Sequence, residues 1–237
     1  MTSPALLCRR LTRTYDGVAV VDAFDLQVEA GEIHALVGLN GAGKTTTMQM
    51  FLGMTAPDHG QAQILGGAVS AVDWARVGHF IETPFAYGEM TVRSNLAAAA
   101  LLHGIARKQV GGAVSVSIDR FELGDYANKR ARVLSAGNRQ RLGLAAATIH
   151  RPDVLILDEP TNGLDPAGVV LIRNLLRQAA MDGAAILVSS HHLDELARIS
   201  HQITVLHRGR DIGQLDPNGI DVERSFFDMV YRSEQVR

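Results

Sequence analysis

Residues Gly38–Thr45, "GLNGAGKT", satisfy the spacing G-x-x-x-x-G-K-[ST] between an apolar strand pattern and a helical one. Residue types and spacing together describe a grip on polyphosphate. Glycines let the backbone wrap closely, so successive N–H groups of Gly38, Asn40, Gly41, Ala42 and Gly43 can face phosphate oxygens at a helix N-terminus. Lys44 can reach the β- and γ-phosphates, the Thr45 hydroxyl can ligate Mg²⁺, and Thr46 can contact the α-phosphate. Glycine-rich strand-to-helix turns also occur without ligands, but the Lys-Thr pair favours the phosphate reading. The spacing is not G-x-G-x-x-G, which disfavours a dinucleotide site. A second chemical group follows in "VLILDEP", where Asp158 and Glu159 end a very apolar stretch. Strand ends of parallel sheets are where ligands bind, so Asp158 can hold the Mg²⁺ of the phosphate loop, through water. Glu159 can then polarise a water for attack on the γ-phosphate. Alone, such a pair is more often a solvated strand terminus; a phosphate loop upstream changes the balance.

The elements that must position these groups alternate. Residues 5–37 read as short strands: "ALLCRRLTRTY", an Asp16-Gly17 turn, "VAVV", "FDLQV" and "EIHALVG". After the glycine loop comes a helix to about Leu52, then the strands "QAQIL" and "VGHFI". From Thr91 to about His150 the pattern is alanine- and leucine-rich and helical. "DVLILDEP" is a buried strand, and Pro166 opens a helix to about Met181. "AAILVSS", a helix from His192 to Ser200, "QITVLH", "DIGQL" and an amphipathic final segment complete the chain. Strand–helix alternation at both ends predicts a parallel α/β sheet with a helical insertion.

Bulk properties narrow the class. At 237 residues and 46% hydrophobic, the chain can bury one large domain's core. Lys plus Arg number 23 and Asp plus Glu 25, a net charge of −2, so no overall basic balance argues for nucleic acid. A single cysteine, Cys8, excludes an internal disulfide and fits a reducing compartment. The N-terminus lacks a signal-peptide pattern and no apolar run approaches the roughly 20 residues that span a bilayer. The expectation is a soluble cytoplasmic protein; work at a membrane would need a separate membrane chain.

Phosphate loops are shared by many NTPases, so they do not by themselves give a function. The discriminating stretch is "LSAGNRQRLGLA", Leu134–Ala145, which resembles the LSGGQ signature of ATP-binding cassette (ABC) ATPases. Ser135 and Gly137 match; Ala136 replaces a glycine and Asn138 a glutamine. A Ser hydroxyl and free N–H groups at a helix start again suit phosphate, although "LSAG" in isolation is merely a helix cap. "GLDP" with Asp165 resembles the family's D-loop, "SSHHLDEL" puts His191 at the switch-histidine position, and Tyr15 lies where an aromatic stacks on adenine. His192 fills a position that is usually aliphatic, and no two-histidine metal site is read there. The resemblance covers nearly the whole chain. It implies a RecA-like P-loop core with an N-terminal antiparallel β subdomain (1–85 and 151–215), an inserted helical signature subdomain (86–150) and a short C-terminal helix (216–237). It further implies a head-to-tail, ATP-dependent dimer in which each signature closes on the other copy's nucleotide, with His191 at the γ-phosphate and attacking water and Asp165 acting across the interface. Separate transmembrane permease subunits at the cytoplasmic face of the membrane are the implied partners. A non-transport role such as cofactor assembly is the alternative.

"GHFIETPFAYGEMTV", residues 78–92, carries Glu82 where the family usually has a glutamine near the Mg²⁺ site and the membrane subunit. It resembles the corresponding stretch of cassettes from bacitracin-resistance and lantibiotic-immunity exporters, which also carry a glutamate. That implies export of peptide antibiotics or related amphiphiles, with Glu82 beside Thr45 and Asp158 as a candidate metal-site residue. A carboxylate keeps the acceptor oxygens of glutamine but loses its NH₂ donors. A tolerated substitution without consequence stays open.

Overall fold

The computed structural model of the chain describes residues 3–82, 86–191 and 193–235. His192 and residues 83–85 of the Glu82 stretch lie outside the described residues.

The apolar runs "IHALV", "VLIL", "AILVSS" and "QITVLH" become strands β3 (Ile33–Val37), β7 (Val154–Leu157), β8 (Ala185–Ser190) and β9 (Gln202–His207). They read as continuous rather than alternating hydrophobic segments because this sheet is covered on both faces. With β6 (Val77–Phe80) and β10 (Arg210–Leu215) they form one six-stranded sheet, in the order β10-β9-β3-β8-β7-β6. All neighbours run parallel except β10, which returns antiparallel to β9 at one edge. The register pairs Val37 with Ser190, Leu157 with Val188 and Phe80 with Leu157. The chain therefore leaves β3, β6, β7 and β8 at the same edge, and Gly38, Glu82, Asp158 and the segment around His191 all start there.

A second, antiparallel sheet of four strands has the order β2-β1-β4-β5. It contains β1 (Leu6–Tyr15), β2 (Val18–Val28), β4 (His59–Ile64) and β5 (Gly67–Ala68). The expected segments "VAVV" and "FDLQV" are here one strand, β2. Ala23 takes a left-handed φ of 49° between them and its N–H bonds the Thr12 hydroxyl at 3.0 Å. The kink is thus a bulge that keeps pairing on both sides rather than a turn that ends it.

Helix α1 (Lys44–Phe51) lies between the two sheets: Met48, Met50 and Phe51 are buried in one cluster with Leu6, Leu11 and Phe24 of the antiparallel sheet and Ile156 and Leu187 of the parallel sheet. The opposite face of the parallel sheet is covered by α2 (Val92–Leu102), α3 (Arg107–Arg120), α4 (Ala136–Thr148), α5 (Pro166–Met181), α6 (Leu193–Ala197) and α7 (Val222–Gln235). α5 begins as expected, with Asp165 as cap and Pro166 in its first turn. α6 stops short of the expected Ser200: Ile199 N–H bonds the Leu196 carbonyl at 3.0 Å and the Ser200 hydroxyl bonds the same oxygen at 2.8 Å, which closes the helix end. β6 approaches α4 closely because position 78 is glycine; a Cβ there would run into the Ala147 carbonyl oxygen.

Where β6, the end of α2 and the end of α4 meet, His103 and His150 stack with ring centroids 3.7 Å apart and planes 3° from parallel. Burial, then His103 and His79, lower the His150 pKa from its ordinary value of 6.5 to about 4. The folded form holds this imidazole neutral while the unfolded chain protonates it first. Its contribution is therefore complete above pH 6.5 and is lost as pH falls toward 4. Urea unfolding across that range should show stability falling with acid, and His150→Phe, which keeps a flat ring in the stack, should flatten the slope. Parallel pH curves for the two proteins would contradict this role.

Candidate functional site

The loop that ends β3 is shaped by glycines at the positions the spacing singled out. Gly41 and Gly43 take left-handed φ of 78° and 105°, and Gly43 caps α1 without any side chain, its carbonyl accepting Thr47 N–H at 2.9 Å. Gly38 and Ala42 are buried at the base of the loop, whereas Asn40 and Gly41 are exposed at its tip. Lys44 is buried, and its ammonium curls back to donate to the Gly38 carbonyl at 2.7 Å. Burial pushes its pKa down, against the opposing pull of Glu159 and Asp158. A cation enclosed in a loop of backbone N–H groups at a helix start is a fit for phosphate oxygens. Thr45 and Thr46 are half-buried on the first turn of α1.

Across the loop, Asp158 is buried at the end of β7 and accepts hydrogen bonds from two other segments. Thr45 Oγ1 donates to its Oδ2 at 2.6 Å, and Ser189 Oγ, at the end of β8, donates to its Oδ1. Ser189 Oγ also accepts the N–H of Glu159 at 3.0 Å. Glu159 sits at a left-handed φ of 49°, a conformation that costs a non-glycine residue on the order of 1 kcal/mol or more. Its carbonyl is held by Gln140 Nε2 of α4 at 3.2 Å. The Glu159 carboxylate lies 2.9 Å from His191 Nδ1 and 3.9 Å from Lys44 Nζ. The turn therefore aims a carboxylate between an imidazole and a lysine, where it can accept a proton from water.

A hydroxyl and one carboxylate in direct contact form a hard-oxygen set that suits Mg²⁺, which keeps several waters and takes its remaining ligands from phosphate. Among the described residues no three His, Cys, Asp or Glu side chains gather to hold an ion by themselves.

The other expected residues fall into two groups. Tyr15 ends β1 with its side chain partly exposed. Ser135 caps α4 by accepting Asn138 N–H at 3.2 Å, and Asp165 caps α5 by accepting Gly168 N–H at 2.8 Å. Arg141 of α4 lies 3.6 Å from Asp165 and 2.9 Å from Glu122. Gly137 follows Ser135 on a side where an added Cβ would lie 3.2 Å from the Gly163 carbonyl oxygen. Among the described residues no hydrogen bond or ion pair links Ser135 or Asp165 to the phosphate loop. Glu82 is exposed, at a left-handed φ of 62°, and its carboxylate accepts from Gln49 Nε2 of α1 at 3.0 Å rather than joining Thr45 and Asp158.

Three contributors were not read from the sequence. Ser189 was visible only as the polar end of "AAILVSS", Gln140 as part of the signature run, and Gln49 as one polar residue in a helix. None has a motif spacing of its own, and their roles depend on partners 31, 19 and 33 residues away.

Comparison with known proteins agrees with this geometry. Residues 21–162 match the family model described as ABC transporter. The bacitracin transport ATP-binding protein BcrA of Bacillus licheniformis is 37% identical over 84% of this chain and 66% of its own length. The Nod factor export ATP-binding protein I of Paraburkholderia xenovorans is 36% identical over 93% of this chain and 73% of its own. The chain thus spans about two thirds to three quarters of these relatives. A solved structure described as the ATP binding subunit of an ABC transporter superposes with a TM-score of 0.85 at 27% identity, covering 98% of this chain and 99% of that one.

Ser189→Ala should remove the donor to a buried carboxylate and the acceptor for the strained Glu159 N–H together. Nucleotide hydrolysis should fall at least tenfold, and urea unfolding should show a loss of about 1–3 kcal/mol. Unchanged turnover would show that hydrolysis does not depend on the Ser189 hydrogen bonds.

Proposed function

The chain belongs to the ABC transporter family of ATP-binding proteins, and from that membership we propose that it is the ATP-hydrolysing subunit of an exporter of peptide antibiotics or related amphiphiles. The observation that carries the ATPase reading is the hydrogen-bonded series Thr45–Asp158–Ser189–Glu159–His191 at the mouth of the phosphate loop. In this reading Lys44 exchanges the Gly38 carbonyl for β- and γ-phosphate oxygens, and backbone N–H groups from Gly38 to Gly43 hold the rest of the chain of phosphates. Thr45 and Asp158 hold Mg²⁺, which when bound neutralises charge developing on the phosphates. The Glu159 carboxylate takes a proton from the attacking water, and His191 orients that carboxylate through Nδ1. Tyr15 stacks on the base.

Among the described residues no hydrogen bond or ion pair links Ser135 or Asp165 to the phosphate loop of their own chain, and the reading has these two, with Gly137, act on a second copy packed head to tail. Residues 1–85 with 151–215 then form the nucleotide core, 86–150 the helical part that carries the signature, and 216–237 a terminal helix. A groove of about 430 Å³ lies beside Glu82, between β6, α2 and α4. Its apolar wall includes Met54, Tyr87 and Leu102, all substantially exposed, and this supports it as the seat of a cytoplasmic segment of a permease. No helix among the described residues is long and apolar enough to cross a membrane, so in this reading the pathway belongs to separate subunits and the chain is peripheral, at the cytoplasmic face. The export reading is supported by Glu82 and by the names of the bacitracin and Nod factor relatives.

Glu159→Gln should bind ATP, lose about 10²–10⁴-fold in turnover, and accumulate a dimer visible by light scattering. Full turnover in this variant would refute the general-base assignment. Glu82→Gln keeps an oxygen for Gln49 and should stay folded and bind ATP. In vesicles reconstituted with the permease, peptide exported per ATP should nevertheless change, whereas an unchanged ratio would mark Glu82 as a tolerated substitution.

A further inference from the structure

Arg13 and Tyr15 are two residues apart on β1. The guanidinium carbon of Arg13 lies 4.6 Å from the Tyr15 ring centroid, within cation–π range. That guanidinium is itself clamped. Its Nη1 donates to Asp58 Oδ1 at 2.8 Å and to the Ala56 carbonyl at 3.2 Å. The second oxygen of Asp58 accepts Thr14 N–H at 2.7 Å, and Asp58 N–H bonds the Thr12 carbonyl at 2.8 Å. Residues 56–58 follow the end of α1, so the helix that starts at the phosphate loop is tied at its far end to the strand that carries the aromatic ring. Tyr15 is otherwise the last residue of a strand whose register breaks between Arg13 and Thr14, a position with little to fix a ring. It remains 41% exposed, with the cation over one face.

We infer that Arg13 is a positioning residue for nucleotide binding: held by Asp58 and Ala56, its guanidinium backs one face of Tyr15 and presents the opposite face to a purine base. The inference rests on the reading of Tyr15 as the base-stacking residue. Stacking on a backed ring favours any purine, since every base has a π-face, so Arg13 strengthens binding of ATP and GTP alike without choosing between them. A ring that does not have to be ordered on binding also loses less affinity to side-chain immobilisation.

The test is titration calorimetry of the whole chain with ATP, GTP and inorganic tripolyphosphate, each with Mg²⁺, together with ATPase kinetics and a thermal melt. Arg13→Ala should weaken ATP and GTP binding about 3–10-fold, leave tripolyphosphate binding unchanged, and raise KM with kcat retained. Arg13→Lys, which keeps a cation, should restore most of the loss. In a Tyr15→Ala background Arg13→Ala should add nothing. Weakened tripolyphosphate binding would trace the effect to the phosphate loop and overturn the inference. Tighter ATP binding in Arg13→Ala would also overturn it, by showing that the guanidinium competes with the base for the ring. If Tyr15→Ala weakens ATP and Arg13→Ala does not, the inference alone falls. If Tyr15→Ala leaves ATP binding intact, the base-stacking reading falls and takes the inference with it.

Discussion

The carboxylate of Asp158 is the point on which the rest of the site depends. It is buried, so its charge is tolerable only with donors on both oxygens, and they come from Thr45 and Ser189, on the helix after β3 and at the end of β8. Three segments far apart in sequence are thereby held by one side chain. Ser189 carries the constraint one step further, because the same oxygen that donates to Asp158 accepts the N–H of Glu159. That bond helps hold Glu159 in its left-handed conformation, and the left-handed turn is what sends its carboxylate toward His191 and Lys44 rather than along the strand direction. Strain at this residue is offset by bonds from two neighbouring elements, β8 and α4.

The parallel sheet makes this meeting possible. Its strands end at one edge in register, and α1 is wedged between two sheets by Met48, Met50 and Phe51, which fixes where Lys44 and Thr45 emerge. The signature residues are positioned by different means: Ser135 and Asp165 are helix caps, Arg141 lies beside Asp165, and among the described residues no hydrogen bond or ion pair links either cap to the phosphate loop. Half a site on each of two surfaces is what a head-to-tail pair of copies would complete, and in the proposed function that pairing is how ATP controls the closed state. Gln140 gives the two halves a physical link within one chain, since it lies on the signature helix and bonds the carbonyls of Glu159 and Pro160.

Much of this was legible beforehand because it is local. The phosphate loop, the acidic strand end and the helix opened by Pro166 each depend on residues within a short window, so spacing alone predicts them, and α5 runs over Pro166–Met181 as read. The two-sheet architecture and the family follow from motifs in order along the chain, and both are found. The errors are equally physical. "VAVV" and "FDLQV" read as two strands because a bulge and a turn share the same local signals, and only cross-strand pairing with β1 distinguishes them. The helix after β8 read too long because its polar end could continue or cap, and Ser200 caps. Ser189, Gln140 and Gln49 were invisible because their functions are set by partners on other elements. Glu82 was expected beside the metal ligands; the structure gives it a bond to Gln49 on α1 instead.

In the proposed function Asp158, with Thr45, holds the divalent ion of a bound nucleotide. Mn²⁺ can replace Mg²⁺ in such an oxygen-ligand site and is seen directly by electron paramagnetic resonance. Titrating Mn²⁺ into the chain with a non-hydrolysable ATP analogue should reveal one tight site per chain, weakened at least tenfold in Asp158→Asn although the analogue still binds. Equal Mn²⁺ affinity in the two proteins would show that Asp158 does not hold the ion.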